Sequence, residues 1–196
     1  MTPEHDVHLK PYRFNVGIAV LNVQGRVFLG KSIPDGPEYV LPGHEWQMPQ
    51  GGIDPDEDII AAARRELLEE TGIRDVSLLA VTQEWWRYDF PAARAPLSGH
   101  KLERFRGQQQ RWVAFRYLGR DEAIDLTASG ADFAPEFSDW RWATLDEAVR
   151  GVMPYKRAVY AQVAAAFRDL TISRADDALI GQQNPQSHPN RGEEPS

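Results

Sequence analysis

The chain has 196 residues, enough for one domain with a sizeable core, and 42% of them are apolar, an ordinary share for a globular protein in water. Its net charge of −7 argues against broad electrostatic coating of nucleic acid, so any nucleotide contact has to be local. There is no cysteine, which excludes disulfides and thiolate metal sites and suits a reducing cytoplasm, and no apolar run approaches the roughly 18 residues of a membrane span.

Residues 1 to 11 are polar, lack a signal-peptide core and read as a flexible leader. Tyr12 to Val23 is an apolar run, Gln24-Gly25 is a turn, and Arg26 to Lys31 follows, together predicting a hairpin of two strands. Arg13 at its start and Lys31 at its end are candidate phosphate contacts. Pro34, Pro37 and Pro42 with Gly36 and Gly43 make Ile33 to His44 a loop. Glu45 to Gly52 then reads as a short strand running into a glycine turn.

That turn opens the most informative stretch, Gly51 to Ile73. Ile60, Ala63 and Leu67 recur at helical spacing, with no proline or glycine between Pro55 and Gly72. Asp54, Pro55 and Glu57 predict an N-cap, a first-turn proline and a capping-box acid, and Gly72 a C-cap. At about 100° per residue, Glu66, Glu69 and Glu70 share one side of the last turns. This placement opposes the helix dipole and sets like charges side by side, so it calls for a compensating cation, and clustered carboxylates are what Mg²⁺ or Mn²⁺ uses. Arg65 is placed to relieve Glu69, its i+4 neighbour, and Glu57 either caps the helix start or pairs with Arg65.

Val76 to Tyr88, rich in β-branched and aromatic residues, reads as one long or bent strand. Pro91, Pro96 and Gly99 mark a loop carrying His100, Lys101, Arg104 and Arg106, a local basic cluster suited to phosphate or RNA backbone. Gln108 to Leu118 alternates as a strand with one buried face, Asp121 to Asp132 reads as loop, and Ala134 to Trp142 leads into a further strand. Thr144 with Glu147 predicts a capping box for a helix ending near Gly151. Pro154 to Leu170 is the last helix, with Val159, Val163, Ala166, Phe167 and Leu170 as its apolar stripe, and 173 to 196 has the composition of a disordered tail.

The stretch from Gly51 to Ile73 matches the Nudix box throughout: Gly51, Glu57, Arg65-Glu66-Leu67, Glu69-Glu70 and Gly72-Ile73 at the family's spacing. Its seven fixed identities would coincide by chance on the order of once in a billion placements. Further motifs extend the resemblance over 12 to 170: Tyr12-Arg13-x-Asn15-Val16-Gly17, Trp46-Gln47-x-Pro49-Gln50-Gly51-Gly52, Gly107-Gln108-x-Gln110-Arg111-Trp112, Pro135-Glu136-Phe137-x-x-Trp140-Arg141-Trp142 and Tyr155-Lys156-Arg157-x-x-Tyr160. These are similar to the branch of bacterial RNA pyrophosphohydrolases, which is closely related to dinucleoside polyphosphate hydrolases. Three departures stand out: Lys31-Ser32 where the branch often has two basic residues, a longer 33–44 loop, and Gln109 at an often basic position.

The resemblance implies an α/β Nudix fold, a mixed sheet between helices, over 12 to 172. It implies a metal-dependent hydrolase that removes pyrophosphate from RNA 5′-triphosphate ends and so promotes mRNA decay. The alternatives are a dinucleoside polyphosphate hydrolase and, from a different class, a silent nucleotide sensor, which would be expected to lose the box carboxylates kept here. By the same resemblance Glu66 and Glu70 are metal ligands, Glu69 a third ligand or a water-orienting group, and Glu136 a further ligand or the general base. Arg65 belongs to the catalytic set and Gly51 to the metal site. The cofactor is Mg²⁺ or Mn²⁺, two or more ions with substrate bound. Arg13, Lys31, Arg111, Lys156 and Arg157 are candidates for the substrate's phosphates, Gln50 for a further substrate contact, and Tyr88, Trp112 or Tyr155 for stacking its first base. No membrane or disulfide partner is implied, and nothing in the sequence specifies an oligomeric state.

Overall fold

The computed structural model describes residues 10–33, 40–91, 102–127 and 135–172. The expected tail, most of the leader, His100, Lys101 and the middle of the 33–44 loop lie outside the described residues.

Among the described residues eight strands form one mixed sheet: β1 (Tyr12–Leu21), β2 (Val27–Ser32), β3 (Trp46–Gln47), β4 (Gln50–Gly52), β5 (Val76–Val81), β6 (Trp86–Asp89), β7 (Gly107–Tyr117) and β8 (Phe137–Ala143). The long axis of the sheet runs β3-β2-β1-β7-β5, with β4 added to β1, β6 to β7 and β8 to β2. The α-helices of the described residues cover it: α1 (Ile59–Thr71), α2 (Leu145–Gly151) and α3 (Arg157–Phe167). The side chains of β1 sort the layers. Val16, Ile18 and Val20 join Ala62, Ala63 and Leu67 of α1 in one buried cluster. Ala19 and Leu21, on the other face, join Ala148 of α2 and Val159, Tyr160, Val163 and Phe167 of α3. The result is the three-layer α/β/α arrangement expected, and complete burial of a residue such as Leu67 contributes about 1.5–3 kcal/mol.

Several local expectations change once strands choose partners. β1 and β2 pair only at Leu21↔Val27, so they splay apart instead of forming a full hairpin. β1 instead runs parallel to β7 from Tyr12↔Gly107 to Leu21↔Arg116, and β2 pairs with β8. As a central strand β7 is buried on both faces, not one. The predicted 76–88 strand is two strands, because Thr82 leaves the ladder to exchange hydrogen bonds with Trp112: its N–H donates to the Trp112 carbonyl at 2.9 Å, and its Oγ1 accepts from the Trp112 N–H at 2.9 Å. The strand read over 45–52 is likewise two short ones, β3 and β4. Helix α3 begins after a 3₁₀ turn at Pro154–Lys156, and its buried stripe contains Tyr160 and Ala164 while Ala166 is exposed. The Thr144–Glu147 capping box forms as read, and Gly72 closes α1 with φ 68°.

Candidate active site

The site begins where β4 hands the chain to α1. The N-cap is Asp58, four residues beyond the one expected from Asp54-Pro55. Its carboxylate accepts from the N–H groups of Ile60 at 2.9 Å and Ala61 at 3.1 Å. Asp54 and Glu57 instead close a turn ahead of the helix: the Glu57 N–H donates to the Asp54 carbonyl at 3.1 Å, and the Asp54 N–H donates to Glu57 Oε2 at 3.0 Å. In this turn Glu57 faces Arg65. The guanidinium donates through Nε to Glu57 Oε1 at 2.9 Å and through Nη2 to Oε2 at 2.8 Å, a fork that holds the Glu57 carboxyl down to about 2.

Arg65 also ties the other parts together. Its Nη2 donates to the Gly52 carbonyl at 2.9 Å, and its Nη1 donates to Glu66 Oε1 at 2.9 Å and lies 3.5 Å from Glu69 Oε2. The expected i+4 pair with Glu69 is therefore present but is the loosest of its three ion pairs.

Below this guanidinium the carboxylates go inward. The Glu66 carboxyl lies against Gly51 so closely that any side chain at residue 51 would overlap it. Burial raises the Glu66 pKa, and the Arg65 hydrogen bond opposes that rise. Glu70 is 5% exposed, and its Oε2 accepts from the Gln50 N–H at 3.3 Å. Burial, then the charges of Glu136 and Glu66, push its carboxyl well above the usual carboxylate range. Glu136, delivered just before β8, is hydrogen-bonded to Glu70. Tertiary structure thus gathers Glu66, Glu70 and Glu136, while Glu69 stays half-exposed at the rim beside Arg65. Among the described residues the acids do not stand as a closed set of three metal ligands: Arg65 holds Glu66, while Glu136 and the Gln50 N–H hold Glu70.

The expected substrate contacts divide. The Arg13 guanidinium lies against Gly52, close enough to act on the charge of Glu66. Lys31 is half-buried on β2, opposite Trp46 and Asp139, and Arg157 is exposed at the start of α3. Gln50 is buried, and its side chain belongs to an amide network. Arg111 donates to the Thr82 carbonyl at 2.9 Å and lies over Trp85 at 5.9 Å. It lines a cavity of about 560 Å³ shared with Phe14, Trp85 and the 54–58 turn. Of the basic loop, Arg106 pairs with Asp89 at 2.9 Å and Arg104 lies over Phe105.

Three expectations meet burial. Trp112 is fully enclosed, edge-on to Tyr160 at 5.4 Å, so it presents no open face for a base. Tyr88 is also buried, with its hydroxyl donating to Gln108 Oε1 and its ring packed 5.5 Å from that of Tyr155, which is half-buried. Lys156 is fully buried; its Nζ donates to Gln47 Oε1 at 2.8 Å and lies 5.8 Å and 5.9 Å from the rings of Tyr88 and Tyr155. The sequence reading missed Asn15, Gln108 and Gln110, which lie buried beside Gln50. The available signal was the Gln108-Gln109-Gln110 run, three amides where a central strand ordinarily carries apolar residues.

The NUDIX domain profile matches residues 11–167. The chain is 46% identical over 160 residues to the RNA pyrophosphohydrolase of Azorhizobium caulinodans, covering 81% of this chain and 93% of that one. It is also 46% identical over 162 residues to the RNA pyrophosphohydrolase of Rhizobium meliloti, covering 82% and 95%. Among solved structures, the E. coli dihydroneopterin triphosphate pyrophosphohydrolase shares the fold with a TM-score of 0.55 at 18% identity, covering 78% of this chain and 97% of that one. A C. elegans Ap4A hydrolase does so with a TM-score of 0.52 at 17% identity, covering 80% and 98%.

Proposed function

The chain belongs to the NUDIX family, and from that premise we propose that it is a metal-dependent pyrophosphohydrolase that removes pyrophosphate from the 5′-triphosphate end of RNA. The observation that carries the chemistry is the buried Glu70 carboxyl with Glu136 and Glu66 beside it. Ionised carboxylates in such a place repel one another and have lost their hydration, so the arrangement is stable in its charged form only with a cation between them. The donor set fits a hard divalent ion: oxygen atoms alone, with no cysteine in the chain and no histidine beside them among the described residues, suit Mg²⁺ or Mn²⁺.

Glu66, Glu70 and Glu136, with the Gly51 carbonyl, would hold the metal, and Glu69 would complete the set or orient a water. When bound, two or more such ions supply positive charge to the phosphate oxygens and lower the pKa of a coordinated water. Arg65 keeps Glu66 and the 54–57 turn in place, and Arg13, beside Gly52, takes the outer phosphates. Either Glu136 or a box glutamate accepts the proton of the attacking water. The RNA keeps a 5′-monophosphate and pyrophosphate leaves, or phosphates leave in succession. Acting on RNA ends, the enzyme would work in the cytoplasm and promote mRNA decay.

Retention of every box carboxylate argues against a silent nucleotide sensor. The test is turnover of a triphosphorylated oligonucleotide against diadenosine tetraphosphate, with Mg²⁺ or Mn²⁺ and with chelator. The RNA is expected to be the better substrate and the chelator to abolish its turnover. Failure to act on RNA while the dinucleotide is cleaved would refute the proposal.

A further inference from the structure

Strand β4 is three residues long, yet both buried carboxylates of α1 are set against it: the Gln50 N–H donates to Glu70, and Gly51 packs on Glu66. Its backbone registers only with Asn15, Val16 and Gly17 of β1. A second tie comes from across the sheet. Gln110 of β7, opposite Asn15 on the parallel β1–β7 ladder, extends past β1 and donates from Nε2 to Gln50 Oε1 at 2.8 Å and to Asn15 Oδ1 at 2.7 Å. The Gln108 Oε1 that accepts from the Tyr88 hydroxyl is 3.3 Å from the same nitrogen. All four amide side chains are buried, and Gln110 itself is 0% exposed. Its Oε1 finds no partner among the described residues. A bare buried acceptor costs stability, so this amide is kept for its donor side.

We propose that Gln110 is a positioning residue: through Gln50 it fixes the β4 backbone against which Glu66 and Glu70 take the geometry that receives the metal. It touches neither substrate nor metal. The inference rests on the metal-dependent reading above and extends it to a residue outside the box.

The variant is Gln110→Met, which keeps side-chain length and removes the donor. Calorimetric titration with Mn²⁺ alone, far below the melting temperature, is expected to show affinity weakened about 10- to 100-fold, in the range of lost outer-layer support. With triphosphorylated oligonucleotide, kcat falls by a similar factor while KM changes less than about threefold. Gln50→Met removes the same hydrogen bond from the acceptor side and reads it if the first variant does not fold; the double variant is expected to be no worse than the weaker single one. Gln109→Met, the neighbour on β7 that accepts from Arg87, should bind Mn²⁺ as the wild type does. Wild-type Mn²⁺ affinity in folded Gln110→Met, or in Gln50→Met, overturns the proposal, as does equal weakening in Gln109→Met. A wild-type protein that binds Mn²⁺ but leaves RNA intact strikes only the substrate reading, because the titrations still decide the role of Gln110.

Discussion

Replacing Glu70 by Gln should abolish activity and yet stabilise the metal-free protein. Glu70 is enclosed, bonded to the Gln50 N–H and to Glu136, and faces the charge of Glu66. Burial, followed by those two carboxylates, raises its pKa. The sign follows from linkage: a folded-state pKa above that of the unfolded chain means that ionisation opposes folding. Native stability is therefore lost as pH rises from the unfolded value through the folded one. Each tenfold change in the acid's ionisation constant is worth about 1.4 kcal/mol, and one like-charge contact at an effective dielectric near 20 is worth up to about 4 kcal/mol. A neutral isostere escapes this cost. Metal-free Glu70→Gln should accordingly melt above wild type by about 2–10 °C at pH 8, with the difference vanishing near pH 4 as the wild-type carboxyl takes up its proton. Saturating Mn²⁺ at about 100 times its Kd should stabilise wild type by about 2.7 kcal/mol and the variant by little. Hydrolysis should fall by at least about 100-fold, a loss of several kcal/mol of charge stabilisation. The assay is scanning calorimetry at both pH values with chelator or Mn²⁺, beside kcat on triphosphorylated oligonucleotide. A variant that melts lower than wild type at pH 8 and keeps its Mn²⁺ shift would refute the reasoning.

Other outcomes follow from the same geometry. Arg65→Lys replaces the fork on Glu57 with a point charge, so the stability that Glu57 contributes above about pH 4.5 and loses as pH falls toward about 2 should shrink; acid-unfolding curves of the two proteins would then differ above pH 4.5 and converge below pH 2. Gly51→Ala forces the Glu66 carboxyl to move, and kcat should drop about 100-fold with circular dichroism unchanged; a fully active variant would show that this contact is dispensable. Because burial raises both Glu66 and Glu70, metal displaces protons, and Mn²⁺ affinity measured by calorimetry should rise with pH above the ordinary carboxylate range instead of levelling off there.

Some of this was legible because it is local. Gly72 as the stop of α1, the Thr144–Glu147 capping box and the Glu57–Arg65 pair each depend on residues within a turn or two of one another. The N-cap of α1 was misplaced for an equally local reason: the 54–58 stretch offers three aspartates, any of which can cap, and which one does depends on how the chain leaves β4. The Val76–Tyr88 stretch carries no signal for its break, because Thr82 leaves the ladder through bonds to Trp112, thirty residues away. Lys156 and Tyr88 look like surface ligands in sequence, yet packing against Gln47 and Gln108 puts both inside.

By itself, then, the sequence determined the chemistry available: a run of acids beside Arg64 and Arg65 on a capped helix, with oxygen donors and no cysteine. Only the tertiary structure decided which acids work together. Glu136 reaches Glu70 from 66 residues along the chain, and Gln110 reaches Gln50 from 60 residues away. Helical spacing and capping are fixed by neighbours along the backbone, whereas strand pairing and burial are fixed by what arrives from elsewhere in the chain. Such an arrival leaves no periodic trace at either end.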